Sequence, residues 1–216
     1  MIRFEKSFGK HKVNALGAYE YTRHFYESTS AEGRGIQPGR EILDVTTGIK
    51  SIGGYKDAIA TQSALFNANY DYDNRYMGQV SYRMDESSCF GKNNRMGHFF
   101  TVSGGWNIQN ETFFESLRES VNQLKVRVSY GSLGNTPGAY YGHYPLYSSM
   151  MYNDEVAYFP SQMGNADLSW EKCYTTNIGI DARFFDRFGV TIDLYNKNTS
   201  DLLYYAPLPN ISGYTG

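Results

Sequence analysis

Histidines, clustered carboxylates, two cysteines and one tyrosine-rich stretch are the residues of this chain whose types could carry chemistry. His11, His24, His98 and His143 are scattered, with no ligand pairing such as i, i+4 on a helical pattern, so they read as polar surface or interface histidines. Asp71, Asp73, Asp85 and Glu86 could suggest a calcium or acid/base cluster. The run Asp71-Tyr72-Asp73-Asn74, however, lacks the glycine and terminal glutamate of a calcium loop. Turn formation by Asp and Asn explains it instead. Gly33-Arg34-Gly35 and Gly104-Gly105 do not precede helical patterns, so neither is a phosphate cradle. Cys89 and Cys173 lie far apart without metal-type spacing; a disulfide between them stays open, and both read as incidental. Asn110-Glu111-Thr112 fits the glycosylation pattern, which matters only in a eukaryotic secreted protein. No nucleophile–base pair or metal set emerges, so the chain is not expected to be an enzyme or to carry a cofactor.

The stretch from Thr136 to Gly164 is the best candidate for ligand contact. It holds Tyr140, Tyr141, Tyr144, Tyr147, Tyr152, Tyr158 and Phe159 among Gly, Ser, Asn and Pro. Tyrosine offers flat amphipathic faces for sugar or peptide recognition and has little conformational freedom to lose. The same physics supports a loop folding on its own rings or packing against a neighbouring protein.

The elements that would position these residues follow a period of two, and helical periodicity is almost absent. Tyr76, Gly78, Val80, Tyr82 and Met84 alternate with Arg75, Met77, Gln79, Ser81, Arg83 and Asp85. Leu124, Val126, Val128 and Tyr130 oppose Lys125, Arg127 and Ser129, and Ile178, Ile180, Ala182 and Phe184 oppose Asn177, Gly179, Asp181 and Arg183. One face is apolar or small; the other carries charges and amides. Eight strands are predicted, at about 2–8, 12–29, 62–71, 75–85, 97–109, 123–133, 171–185 and 188–201.

Connections alternate in length. Short turns fall at Gly9-Lys10-His11, Asp71-Tyr72-Asp73-Asn74 and Phe185-Asp186-Arg187-Phe188, and Asn110 to Asn122 could hold a helical turn through Glu115-Ser116-Leu117-Arg118. Long polar stretches run from Ser30 to Thr61, Glu86 to Met96 and Gly134 to Ser169. Short turns at one end and long loops at the other describe an outer-membrane barrel, because loops this long are uncommon in a compact soluble domain.

Composition agrees. Aromatics reach 16%, with 20 Tyr and 13 Phe, while mean hydropathy is -0.52. Tilted membrane strands with aromatic girdles and a polar inner face account for that mixture. No apolar run approaches the length of a membrane helix, but barrel strands need only about 9–11 residues. A net charge of -2 and a pI of 6.1 argue against a nucleic-acid partner. The start (Met1 to Lys6) lacks an apolar signal region and the end (Asn210 to Gly216) reads as mid-loop, so a partial segment of a larger barrel is expected.

Several segments, in this order, resemble the SusC/RagA family of TonB-dependent outer-membrane transporters of Bacteroidetes. They are Phe8 to Glu20 (FGKHKVNALGAYE), Asn69 to Tyr76 (NYDYDNRY) with Tyr82 to Arg95 (YRMDESSCFGKNNR), Val102 to Ile108 (VSGGWNI), Leu124 to Asn135 (LKVRVSYGSLGN), and Asn165 to Lys172 (NADLSWEK) with Thr176 to Asp181 (TNIGID). Met84 and Cys89 depart from the usual pattern. The resemblance implies later strands of a plugged barrel of about 22 strands, sited in the outer membrane. It also implies TonB as energiser, a SusD-like surface lipoprotein as partner, and a glycan or oligopeptide as substrate. No plug, TonB-contacting segment, signal peptide or final strand is seen, so residues 1–216 are expected to form only part of the barrel domain. Lumen-facing Arg75, Arg83, Lys125, Arg127, Asp181 and Arg183 would shape a polar interior. The competing readings are a stand-alone secreted β-sandwich that binds glycan, and a small eight-stranded structural or adhesin barrel.

Overall fold

The computed structural model describes residues 1–48 and 50–214; Ile49, and Thr215 and Gly216 at the loop-like end, lie outside them. Eight strands form one antiparallel sheet in the order β1-β2-β3-β4-β5-β6-β9-β10, and β7 and β8 form a separate two-stranded sheet. The strands are β1 (Ile2–Phe8), β2 (His11–Gly33), β3 (Lys50–Tyr72), β4 (Tyr76–Ser87), β5 (Met96–Asn107), β6 (Val121–Asn135), β7 (Leu146–Tyr152), β8 (Glu155–Gln162), β9 (Glu171–Phe184) and β10 (Phe188–Ser200). Among the described residues the large sheet has no facing sheet of a β-sandwich, and no helix is long and apolar enough to cross a membrane.

Register carries the alternation across the whole sheet. One row runs Glu5, Asn14, Asn69, Gln79, Ser103, Ser129, Asn177 and Tyr195, one residue from each strand and every one polar. On the opposite pleat the neighbouring rows hold Val80, Val102, Val128, Ile178 and Leu194, all between 48% and 70% exposed. In water such a face would be an aggregation surface; in lipid it is solvated. At the turn end this outer face finishes in a ladder of rings from five strands. Phe8 lies 5.2 Å from His11, His11 5.0 Å from Tyr72, and Tyr76 6.3 Å from both Tyr72 and Trp106. These rings make one aromatic girdle of the membrane band.

The turns have the mirror-image form that suits a right-handed strand twist. Asp73 and Asn74 take φ values of 55° and 53°, and Arg75 N–H donates to the Tyr72 carbonyl at 2.8 Å. Phe185-Asp186 and Asn153-Asp154 repeat the left-handed pair. The expected helical turn between β5 and β6 is a 3₁₀ segment, Thr112–Leu117, preceded by another at Ile108–Asn110.

Three expectations are corrected. The stretch Ser30 to Thr61 is not one long loop, because β3 begins at Lys50 and pairs with β2 as far as Gly33. Above Thr22–Thr61, where β4 ends, β2 and β3 continue alone as a ribbon of eleven residue pairs. At about 3.4 Å per residue it projects on the order of 35 Å. Beyond the base of the ribbon both faces meet water, so its Ser, Thr and Gly residues show no hydropathy alternation. The stretch Gly134 to Ser169 likewise contains the β7–β8 hairpin, and Arg75 belongs to a turn, away from the inner wall.

The left-handed turn residues make a local prediction. In the full-length barrel, Asn74→Val should lower unfolding stability by about 1–2 kcal/mol, the cost of a β-branched residue in that region. Asn74→Gly should stay within about 0.5 kcal/mol. The check is the urea midpoint read from heat-modifiable gel migration, and equal midpoints for the two variants would contradict the turn assignment.

Candidate functional site

The inner face of the sheet holds a cavity of about 550 Å³, lined among others by Glu5, Lys12, Asn69, Gln79, Arg127 and Asn177. Of its charges, Arg127 is tied into an ion-pair network with neighbouring carboxylates. Arg127 Nε donates to Asp181 Oδ2 at 2.7 Å, and Nη2 reaches Asp181 Oδ1 at 3.1 Å and Asp193 Oδ1 at 3.2 Å. Thr191 adds a hydroxyl donor to Asp181 at 3.1 Å. This network links β6, β9 and β10, and it passes over Gly179, where a Cβ would fall 2.5 Å from Asp193 Oδ1 and 2.8 Å from Arg127 Nη2. Glycine here is what lets the guanidinium reach across a strand. The geometry is bidentate and half-exposed, so each link contributes at most about 1 kcal/mol.

Towards the loop end, a second inner cavity of about 580 Å³ lies beneath Phe99 and Trp170. On its wall Arg83 Nε donates to both Asp85 oxygens at 2.7 and 2.9 Å, and Nη2 donates to Ser63 Oγ at 3.2 Å. The roof forms where the sheet splits. Pairing of β5 with β6 stops at Thr101–Gly131, while β6 continues along β9 to Asn135. The Phe99 ring fills the split, against the bare Cα atoms of Gly97 and Gly134. Trp170 packs on it at 5.5 Å and on Phe90 at 4.9 Å, and all three rings are buried.

Hydrogen bonds tie the loops to this core. Trp170 Nε1 donates to Arg95 O at 2.9 Å, and His143 Nδ1 donates to Cys89 O at 3.0 Å. His143 Nε2 has no partner among the described residues. Cys89 and Cys173 are both free thiols, and burial pushes the Cys89 thiol up from its ordinary value. Of the other histidines, His98 bonds the Tyr82 hydroxyl at 2.6 Å and His11 the Tyr70 hydroxyl at 2.8 Å. No group of three or more metal-type side chains converges among the described residues.

The six tyrosines singled out from sequence separate into two groups. Tyr140 and Tyr141 are half-buried, and the Tyr141 hydroxyl accepts from Ala58 N–H at 3.1 Å, capping the free edge of β3. The Tyr144 ring lies against His143, tilted by 42° at 4.0 Å. Tyr147, Tyr152 and Tyr158 stand on the hairpin, 66%, 73% and 75% exposed. Pairing of Tyr147 with Pro160 and of Ser149 with Tyr158 puts Tyr147 and Tyr158 on one face with Met151 and Val156; Tyr152 points to the other.

Sequence reasoning missed Glu111. It is buried at the turn end, accepting from the Tyr76 hydroxyl at 2.7 Å and Trp106 Nε1 at 3.0 Å, with Arg75 Nη1 at 3.4 Å. Arg75 also meets Asp73, which pairs with Lys10 at 2.9 Å. Lys10, Asp73, Arg75 and Glu111 thus chain three turns together. No local pattern announces this, since the Tyr76 partner lies thirty-five residues away. The Tyr76 hydroxyl and then the Trp106 indole hold the Glu111 carboxyl below the ordinary carboxylate range, and Lys10 does the same for Asp73.

This arrangement of polar inner wall, lipid-facing outer wall and loop-capped mouth agrees with comparisons to known proteins. Residues 3–216 match the family model described as TonB dependent receptor-like, beta-barrel. The chain belongs to that family. TonB-dependent receptor P39 of Formosa agariphila is 33% identical over 99% of the chain, and TonB-dependent receptor SusC of Bacteroides thetaiotaomicron is 29% identical over 96%. The RagAB peptide importer superposes with a TM-score of 0.89 in its closed-closed state and 0.83 in its open-open state. Those chains are 30% and 29% identical over 98% of this one. The chain spans 21% of the length of the two curated relatives and 24% of the RagAB structures. The sheet is therefore a stretch of outer-membrane barrel wall, and its relatives are receptors and transporters.

The turn clamp predicts acid sensitivity of this rim. With its folded pKa depressed, Glu111 contributes its full stabilisation above the unfolded carboxylate's pKa of about 4.3. That contribution is lost as pH falls through the lower folded value. In the full-length barrel, amide exchange across 107–118 should accelerate below about pH 4, and Glu111→Gln should remove that step. A step of equal size in the variant would assign it elsewhere.

Proposed function

We propose that this chain is part of the wall and extracellular face of a TonB-energised importer of oligomeric nutrients, glycans or oligopeptides. The observation that carries the reading is the unbroken polar row from Glu5 to Tyr195 on the inner pleat, backed by an apolar outer pleat. Only a water-filled or plugged lumen uses that arrangement in lipid. β1 and β10 each pair with one strand here, and each meets a further strand of the same longer barrel in this reading. A plug domain packs against the inner wall, TonB drives it from the periplasm, and a SusD-like lipoprotein covers the mouth. The likeness to a peptide importer and to SusC supports this assignment.

The chain's own part is passive. Locally neutralised pairs such as Arg127–Asp181 and Arg83–Asp85 give a wall that is wet yet carries little net field for a passing oligomer. Ligand contact falls to the exposed hairpin face bearing Tyr147 and Tyr158, while Tyr141 and Tyr144 hold the loop in place.

The test is uptake of labelled oligopeptide and oligosaccharide pools by cells carrying the full-length protein, with and without TonB. TonB-dependent uptake of either pool is expected, and none of either would overturn the import reading. Tyr147→Ala with Tyr158→Ala should weaken ligand binding about five- to tenfold, the scale of an aromatic contact. Tyr152→Ala, on the other face, should leave it unchanged.

A further inference from the structure

The outward pleat of β2 carries an unusual sequence above its lipid-facing Val13, Ala15 and Gly17. The next residues on that pleat are Tyr19, Tyr21, Arg23 and Phe25, all exposed. Their height follows from strand geometry. A rise of about 3.3 Å per residue at a tilt of about 40° gives roughly 2.5 Å of membrane depth per residue. His11 belongs to the aromatic girdle at the turn end. Tyr21, ten residues on, then stands roughly 25 Å above it, the height of the apolar band. Arg23 lies about 5 Å higher, at the level of the outer-leaflet headgroups.

The Arg23 guanidinium is prepared for an anion. It sits over the Phe25 ring, 4.5 Å from its centroid, and makes no ion pair among the described residues. Of the other cations on this outward face of the ribbon, Lys56 is held by Glu27 at 2.8 Å and Lys50 donates to the Asp44 carbonyl at 3.1 Å. Across the ladder, Arg23 faces Ala60 and Phe25 faces Ala58, so the floor beside the guanidinium is methyl-sized and open. One rung below, the Tyr19 hydroxyl donates to Gln62, whose amide donates to Glu86, so that carboxylate is already engaged. An unpaired guanidinium, with Tyr21 and Tyr19 below it on the same pleat at the boundary of hydrocarbon and water, has the chemistry to bind a phosphate on a sugar headgroup.

We propose that the outward face of β2 around Arg23 binds the phosphorylated glycolipid headgroup of the outer leaflet. Arg23 takes the phosphate, Tyr19 and Tyr21 meet the sugar–acyl boundary, and Ala58 and Ala60 leave room for the headgroup. This site depends on the membrane placement of the strands and is independent of what the lumen carries.

The test uses the full-length transporter in mild detergent, titrated with phosphorylated lipid A and followed by native mass spectrometry. Dephosphorylated lipid A, inorganic phosphate and the variants Arg23→Gln and Arg40→Gln serve as comparisons. Heat-modifiable gel migration establishes that each variant is folded. Arg23→Gln should weaken binding of the phosphorylated lipid about fivefold, the scale of one basic side chain at an anionic surface. Arg40→Gln, in the loop beyond β2, should not. The proposal is overturned by equal binding of the dephosphorylated lipid, or by displacement of the lipid with millimolar inorganic phosphate. Unchanged lipid binding by Arg23→Gln, with loss of a co-purifying surface lipoprotein, would overturn it in favour of a protein interface.

Discussion

Hydrocarbon offers no partner to a backbone N–H or C=O, and each group left unpaired there costs several kcal/mol. Everything else in this chain depends on that pairing. The ladder between consecutive strands fixes register, register fixes the pleat, and the pleat decides which side chains see lipid. A slip of one residue between β3 and β4 would turn Val80 inward and Gln79 outward. The polar row from Glu5 to Tyr195 is thus the visible result of seven registers that all agree. A compact hydrophobic centre plays no part in it, since the buried apolar side chains gather at the loop end, where Phe99 of β5 meets the loops, and in one turn.

The two ends of the sheet are closed by different physics. At the turn end, connections are short, so charges and amides from separate turns come within reach of one another. Asn107 and Asn110 amides both donate to the Asn74 carbonyl, at 2.7 and 2.8 Å, beside the Glu111 clamp. At the loop end, connections are too long for such a belt, and rings supply the cohesion. Phe99 can leave the wall only because Gly97 and Gly134 present no side chain, and Trp170 and Phe90 then have a surface on which to fold.

What could be read from the sequence follows the same division. Where a strand separates lipid from water, hydropathy must alternate, and β4, β5, β6 and β9 were legible to within a few residues. Beyond the base of the ribbon both faces meet water and the constraint vanishes: β2 is legible as far as Thr29, but no alternation marks Lys50 to Ala60, its partner along Arg23 to Gly33. The hairpin of β7 and β8 was hidden for the same reason, its strands being paired with one another alone. Arg75 looked like the next inward residue of β4, but the turn hydrogen bond to Tyr72 takes it out of the pleat. Glu111 was illegible because its partners converge only after three turns have closed. Tyr141 was singled out for its ring, whereas its hydroxyl is what the fold uses, on the Ala58 N–H where β4 no longer covers the edge.

That last contact bears on how mouth and wall are coupled. Ser88 bonds Ala60 through its backbone N–H and its hydroxyl oxygen, at 3.0 Å each, and Tyr141 follows two residues higher on the same edge. Two loops distant in sequence therefore continue the role of β4 along β3, residue by residue. His143 then joins those loops to one another through the Cys89 carbonyl. Loops anchored on a strand edge and on the Phe99 ring inherit the rigidity of the wall. The exposed hairpin, held by its own ladder and tied to the loop only at its base, where the Gln162 amide donates to the Tyr141 and Tyr144 carbonyls, is left as the element free to adapt. Recognition by this portion of the mouth would then combine a fixed base with one adjustable aromatic face, a division that follows from which backbone edges the barrel leaves uncovered.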